Sequence, residues 1–106
     1  PSTRQRFIAL DFDFLPPEQE ARIVVHESGV DNAVAVQLCA LAQRLRALRD
    51  RGLAEVPSTR LLVATARLIA GGVAVHQACE AGLIAPLSDD PTLVAAMRDL
   101  VAASFV

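Results

Sequence analysis

Residues 31–52 read DNAVAVQLCALAQRLRALRDRG, and the spacing within them decides the fold class. Val34, Leu38, Leu41, Leu45 and Leu48 recur at intervals of 4, 3, 4 and 3 residues. At about 100° per residue they form an apolar stripe roughly 80° wide, which is one face of a helix. Asp31 or Asn32 can cap that helix and Gly52 ends it. The same punctuation marks further helices on either side. Pro16-Pro17 opens one that runs to about Glu27, with Glu18 and Glu20 facing the positive dipole end and Ser28-Gly29 closing it. Pro57-Ser58 opens another, capped by Ser58, carrying Leu61, Leu62, Leu68 and Ile69 and ending at Gly71-Gly72. A fourth helix is predicted over roughly 75–84. The fifth opens at Asp90-Pro91, with Leu93, Val94, Met97, Leu100 and Val101 facing inward.

One segment does not fit a helical inventory. Phe7-Ile8-Ala9-Leu10-Asp11-Phe12 alternates as a strand, with Ile8, Leu10 and Phe12 on one face. A lone strand cannot pair its own backbone groups. Its partner strands are therefore expected upstream of Pro1, a first residue that already suggests a processed, excised or truncated chain. Residues 1–15 read as the tail of an α/β domain and residues 16–106 as a compact helical domain.

Composition agrees with packed helices. The chain has 106 residues, of which 53% are hydrophobic but only 4% aromatic, with no Trp or Tyr, so the core is aliphatic and alanine-rich. That length supports one core. So apolar a chain is not disordered. No apolar stretch reaches about 18 residues without a charge or turn signal, so membrane insertion is not expected. A formal charge of −2 offers no general attraction to nucleic acid or anionic lipid. All ten basic residues are Arg, which reflects genome composition rather than chemistry. Cys39 and Cys79 sit among apolar neighbours with no signal segment visible, so reduced thiols in the cytoplasm are expected.

Few residues carry a chemical signature. Gly71-Gly72 lacks the Lys-Ser/Thr of a phosphate loop, and neither Cys-x-x-Cys nor His-Glu-x-x-His occurs. His26 and His76 lie on different helices; His76, Cys79 and Glu80 share a turn but supply too few ligands for a metal, so no metal site is expected. Arg44, Arg46, Arg49 and Arg51 spread around their helix and lack aromatic stacking partners, so they read as arginines bordering a core rather than a nucleic-acid face. Arg60 and Arg67, seven apart, share a helix face. Arg60 lies in the first turn after Ser58, where unpaired backbone N–H groups and the helix dipole favour an anion. Arg4 and Arg6 precede the strand.

Five strings occur in order: Ser2-Thr3-Arg4-Gln5-Arg6-Phe7, Phe12-Asp13-Phe14-Leu15-Pro16-Pro17-Glu18, His26-Glu27-Ser28-Gly29-Val30-Asp31, Ser58-Thr59-Arg60-Leu61-Leu62-Val63 and Pro86-Leu87-Ser88-Asp89-Asp90. Together they closely resemble the C-terminal third of the CbbQ/NorQ family of MoxR-type AAA+ ATPases, over essentially the whole chain. The resemblance implies a mainly α fold, the helical lid domain of an AAA+ ATPase with about five helices, preceded by one strand of the α/β core. It also implies a hexamer that uses ATP and Mg²⁺ and works with a von Willebrand factor A-domain partner. The client would be inhibited Rubisco, to be reactivated, or nitric-oxide reductase, to be activated. Arg6 matches the arginine finger that reaches a neighbour's nucleotide in trans, with Arg4 the second candidate. Arg60 matches the sensor arginine that touches nucleotide in cis, and Ser58 and Thr59 beside it are expected to share in nucleotide binding. The helical surface, with Arg44 to Arg51 at its edge, would make intersubunit contacts. The Walker motifs would lie upstream of Pro1, so the 106 residues alone are expected to hydrolyse nothing. A free-standing helical interaction module without a nucleotide role is the alternative.

Overall fold

The computed structural model describes residues 15–53 and 55–105. The predicted strand over 7–12, Arg4 and Arg6 lie outside the described residues. Among those described, every regular element is helical: α1 (Pro17–Ser28), α2 (Asn32–Ala47) with a 3₁₀ turn after it (Leu48–Arg51), α3 (Thr59–Ala70), α4 (Val75–Cys79), a π turn (Glu80–Ile84), α5 (Ala85–Leu87) and α6 (Pro91–Ser104).

The helix ends follow from local chemistry. Pro17 occupies the first position of α1, where its missing N–H costs nothing. Gly29 ends that helix at φ 84°, a left-handed conformation that glycine adopts without a Cβ clash, and its N–H returns to the Val25 carbonyl. Asp31 sits at the start of α2 without a side-chain cap bond, so its negative charge alone favours that terminus. The helix also narrows at Ala47 into a 3₁₀ turn before Gly52 ends it. Ser58 and Asp90 do cap: the Ser58 hydroxyl accepts from Leu61 N–H, and the Asp90 carboxylate from Thr92 N–H.

The fourth helix runs past its expected end at Ile84 to Leu87. A proline inside a helix normally crowds the carbonyl four residues earlier and has no N–H to give. Here the backbone widens just before Pro86: Ala85 N–H reaches back to Glu80 O, a five-residue step. The chain therefore stays helical through a residue that the sequence treats as a boundary.

α1 packs on both α2 and α3; α2 continues onto α6, while α3 lies against α4 and the π turn. Leu38, Leu41 and Leu45 of α2 are fully buried at the centre, with Leu62 from α3, Leu83 from the π turn and Met97 from α6 around them. Val34 and Leu48, at the ends of the α2 stripe, pack at its margin. Leu68, also on α3, is exposed. Gly82 makes the α3 contact possible. A Cβ there would collide with Thr65 Oγ1 and stand 3.0 Å from Thr65 Cβ, so only glycine allows the π turn so close to α3. No helix among the described residues is long and apolar enough to cross a membrane.

Candidate functional site at the start of α3

Glu20 lies four residues before Val24, on the buried face of α1, and is itself fully buried. A carboxylate in that position needs compensation. Arg46, at the C-terminal end of α2, supplies it with a two-pronged grip: Nη1 donates to Oε1 at 3.1 Å and Nη2 to Oε2 at 2.8 Å. The Arg46 side chain retains only 8% exposure. Its third donor, Nε, reaches the Pro57 carbonyl at 3.0 Å, and the Thr59 hydroxyl donates to Glu20 Oε2 at 2.8 Å. Two helices are thereby bonded to the residues on either side of Ser58, where α3 begins.

This corrects the reading of Arg46 as one of four arginines bordering the core, since it is the buried partner of a buried acid. The two residues are 26 apart in sequence and Thr59 is 39 from Glu20, so no local spacing announces the cluster. One signal did exist: Glu20 shares a helix face with Val24, and Arg46 lies four residues after the buried Ala42. Arg44, by contrast, is exposed and donates to Ser104 Oγ at 3.3 Å, while Arg49 and Arg51 are exposed.

Arg60 follows directly, in the first turn of α3. It is exposed, and its side chain forms no hydrogen bond or ion pair among the described residues. The Ser58 hydroxyl is committed to Leu61 N–H, and the Thr59 hydroxyl to Glu20. What the site presents outward is one guanidinium beside a helix N-terminus, a donor set that suits a phosphate. Arg67 does not share this status. Its Nε donates to the Glu27 carbonyl at 3.2 Å and Nη2 lies 3.6 Å from Glu27 Oε1, at the negative end of α1.

Among the described residues no group of three His, Cys, Asp or Glu could hold a metal ion. His76 Nε2 lies 3.2 Å from the Phe105 carbonyl, and Cys79 is buried beneath. Arg98 grips Glu80 through two hydrogen bonds, which hold the Glu80 carboxyl below its usual range. Cys39 and Cys79 are buried free thiols. Burial pushes both up to about 11; at Cys39 the charge of Glu20 adds to the rise and Arg46 opposes it. An apolar cleft of about 390 Å³ lies between the start of α1 and the outer face of α2, lined by Pro17, Val36, Cys39 and Ala40 among others.

Residues 20–104 match the family model described as CbbQ/NirQ/NorQ C-terminal. The chain belongs to the CbbQ/NirQ/NorQ family. It is 53% identical to the denitrification regulatory protein NirQ of Stutzerimonas stutzeri over 105 residues, covering 99% of this chain and 38% of that protein. It is 54% identical to the protein CbbQ of Hydrogenophilus thermoluteolus over 97 residues, 92% of this chain and 36% of the relative. With the protein NorQ of Paracoccus denitrificans the identity is 46% over 105 residues, 99% of this chain and 39% of the relative. The chain thus spans less than two fifths of the length of these relatives. Its mainly α architecture is that of the helical lid expected from the family resemblance.

Proposed function

We propose that this chain is the lid-bearing C-terminal portion of a hexameric AAA+ ATPase that activates a metabolic enzyme. The observation that carries the reading is Arg60, an exposed guanidinium without a side-chain partner among the described residues, in the first turn of α3 and at the position matching the family's sensor arginine. In the whole protein ATP supplies the phosphates and the phosphoryl group, and Mg²⁺ neutralises their charge. Arg60 binds and orients the phosphates of its own subunit's nucleotide, and the helical domain follows them as a rigid body. Arg6 reaches the neighbouring subunit's nucleotide, with Arg4 as the second candidate. The nucleotide cradle and Mg²⁺ ligands belong to the core domain, of which residues 1–15 form the tail. The apolar cleft beside Pro17 supports a contact with that domain.

The client is Rubisco, reactivated with a von Willebrand factor A-domain partner, in a cytoplasmic assembly. A second reading, nitric-oxide reductase activation, is favoured by the 53% identity to a protein named as a denitrification regulator. Reconstituting the whole protein with ATP and either inhibited Rubisco or inactive nitric-oxide reductase distinguishes them, since only the true client should gain activity. The site itself is tested by Arg60→Ala in the whole protein. Loss of a charge-assisted contact should weaken nucleotide binding by about tenfold or more, while Arg67→Ala, which faces Glu27, should have little effect. Equal, negligible effects from both would leave a free-standing helical interaction module as the better account.

A further inference from the structure

We infer that Glu20, Arg46 and Thr59 are positioning residues: the buried pair, acting through Thr59 and Pro57, fixes the first turn of α3 and so aims Arg60. The inference rests on the reading of Arg60 as the nucleotide-contacting residue and adds what holds that residue in place.

Four hydrogen bonds carry it. Two join Arg46 to Glu20, one runs from Arg46 Nε to the Pro57 carbonyl, and one from the Thr59 hydroxyl to Glu20. A buried ion pair is a poor means of stabilising a fold, because desolvation offsets most of the attraction and apolar side chains of similar size commonly do as well. What a planar guanidinium gripping a carboxylate does provide is fixed geometry. Beyond the grip, Arg46 Nε donates to the Pro57 carbonyl and Glu20 Oε2 also accepts from the Thr59 hydroxyl, so the pair holds residues 57 and 59, which bracket the Ser58 cap. Pro57 is itself buried. The backbone that enters α3 is therefore referenced to α1 and α2, the helices that supply Val24, Leu38, Leu41 and Leu45 to the core. Displacement of Arg60 by a bound phosphate would be transmitted through the same bonds into those helices, so the domain would move as one body.

The test is a double-mutant cycle between Thr59→Val and Arg60→Ala in the whole protein, read as affinity for a fluorescent ATP analogue and as the nucleotide-free Tm. Thr59→Val removes one hydroxyl and leaves Glu20 bonded to Arg46, so it avoids the folding risk of Glu20→Ala. It should weaken nucleotide binding roughly three- to tenfold, the range for one hydrogen bond. In the Arg60→Ala background the same change should weaken binding no further, and Thr59→Ser should restore affinity. Any Tm shift from Thr59→Val should be equal in both backgrounds, which a purely structural role would also give; the coupling in affinity, with the Thr59→Val effect vanishing without Arg60, is what it would not. Two results overturn the inference while sparing the Arg60 reading: a Thr59→Val that leaves affinity unchanged, or one whose loss persists undiminished without Arg60. An Arg60→Ala protein with unchanged affinity overturns both.

Discussion

Thiol chemistry gives a residue-scale test that this composition makes unusually clean. The chain has no Lys or Tyr, so between about pH 9 and 11 its side-chain titration belongs to Cys39 and Cys79. Burial raises each thiol from 9.0 to about 11 in the folded state. The folded protein therefore holds its protons more tightly than the unfolded chain, and this contribution to stability is complete below about pH 9. It is lost as pH rises toward 11, because the unfolded state deprotonates first. Thermal melts should show Tm falling across that window, with a smaller fall in a Cys39→Ala/Cys79→Ala variant. Native thiols should also resist iodoacetamide at pH 8 and react once the chain is denatured. The core and the buried pair are a second residue-scale case. Leu41 is 0% exposed, so Leu41→Ala should cost about 2–5 kcal/mol by leaving a cavity. Glu20→Ala would remove the buried carboxylate that grips the Arg46 guanidinium and should cost about 3–5 kcal/mol, measurable by denaturant unfolding. The first of these was legible in the sequence because Leu41 sits mid-stripe. The second was not, because Glu20 and Arg46 meet across two helices and their pairing depends on how α1 crosses α2.

At the scale of elements, the punctuation residues carried most of the information. Ser58, Asp90, Gly29 and the prolines at 17 and 91 set helix ends through bonds or dihedrals that are local to a few residues. Such interactions are readable without the rest of the fold. Arg60 was legible for the same reason: its place in the first turn of a capped helix follows from Ser58. The π turn was not. Its cause is a tertiary contact, the approach of Gly82 to Thr65 on α3, together with a proline four residues later that the wider turn accommodates. Gly82→Ala should therefore destabilise the domain by about 1–3 kcal/mol, the usual range for overpacking. Thr65→Ala removes the hydroxyl that the new methyl would strike. Combined with Gly82→Ala it should cost less than the sum of the two single changes, and strict additivity would show that the Thr65 hydroxyl is not what excludes a side chain at 82.

For the whole molecule, the proposed assembly separates two arginines by the subunit whose nucleotide each serves. In that proposal Arg60 acts in cis and Arg6 in trans, so their loss should differ in kind. Arg60→Ala should lower nucleotide affinity, whereas Arg6→Ala should spare binding and reduce turnover on the order of 10³-fold or more, as arginine fingers do elsewhere. A trans role also predicts complementation. One variant carries Arg6→Ala with an intact nucleotide cradle, and the other lacks the Walker lysine expected upstream of Pro1 but keeps Arg6. Each should be nearly inactive alone. Mixed rings contain some interfaces that pair an intact cradle with an intact finger, so ATPase activity should reappear on mixing once subunits exchange. The same experiment with Arg60→Ala in place of Arg6→Ala should recover far less, because a cis contact cannot be lent by a neighbour and the deficient subunit keeps its defect in every interface. Exchange demonstrated without recovery, and recovery with Arg4→Ala instead, would move the finger to Arg4. Turnover by the 106-residue chain alone would contradict the division of labour altogether, since the proposal gives it arginines for a nucleotide but no cradle to hold one.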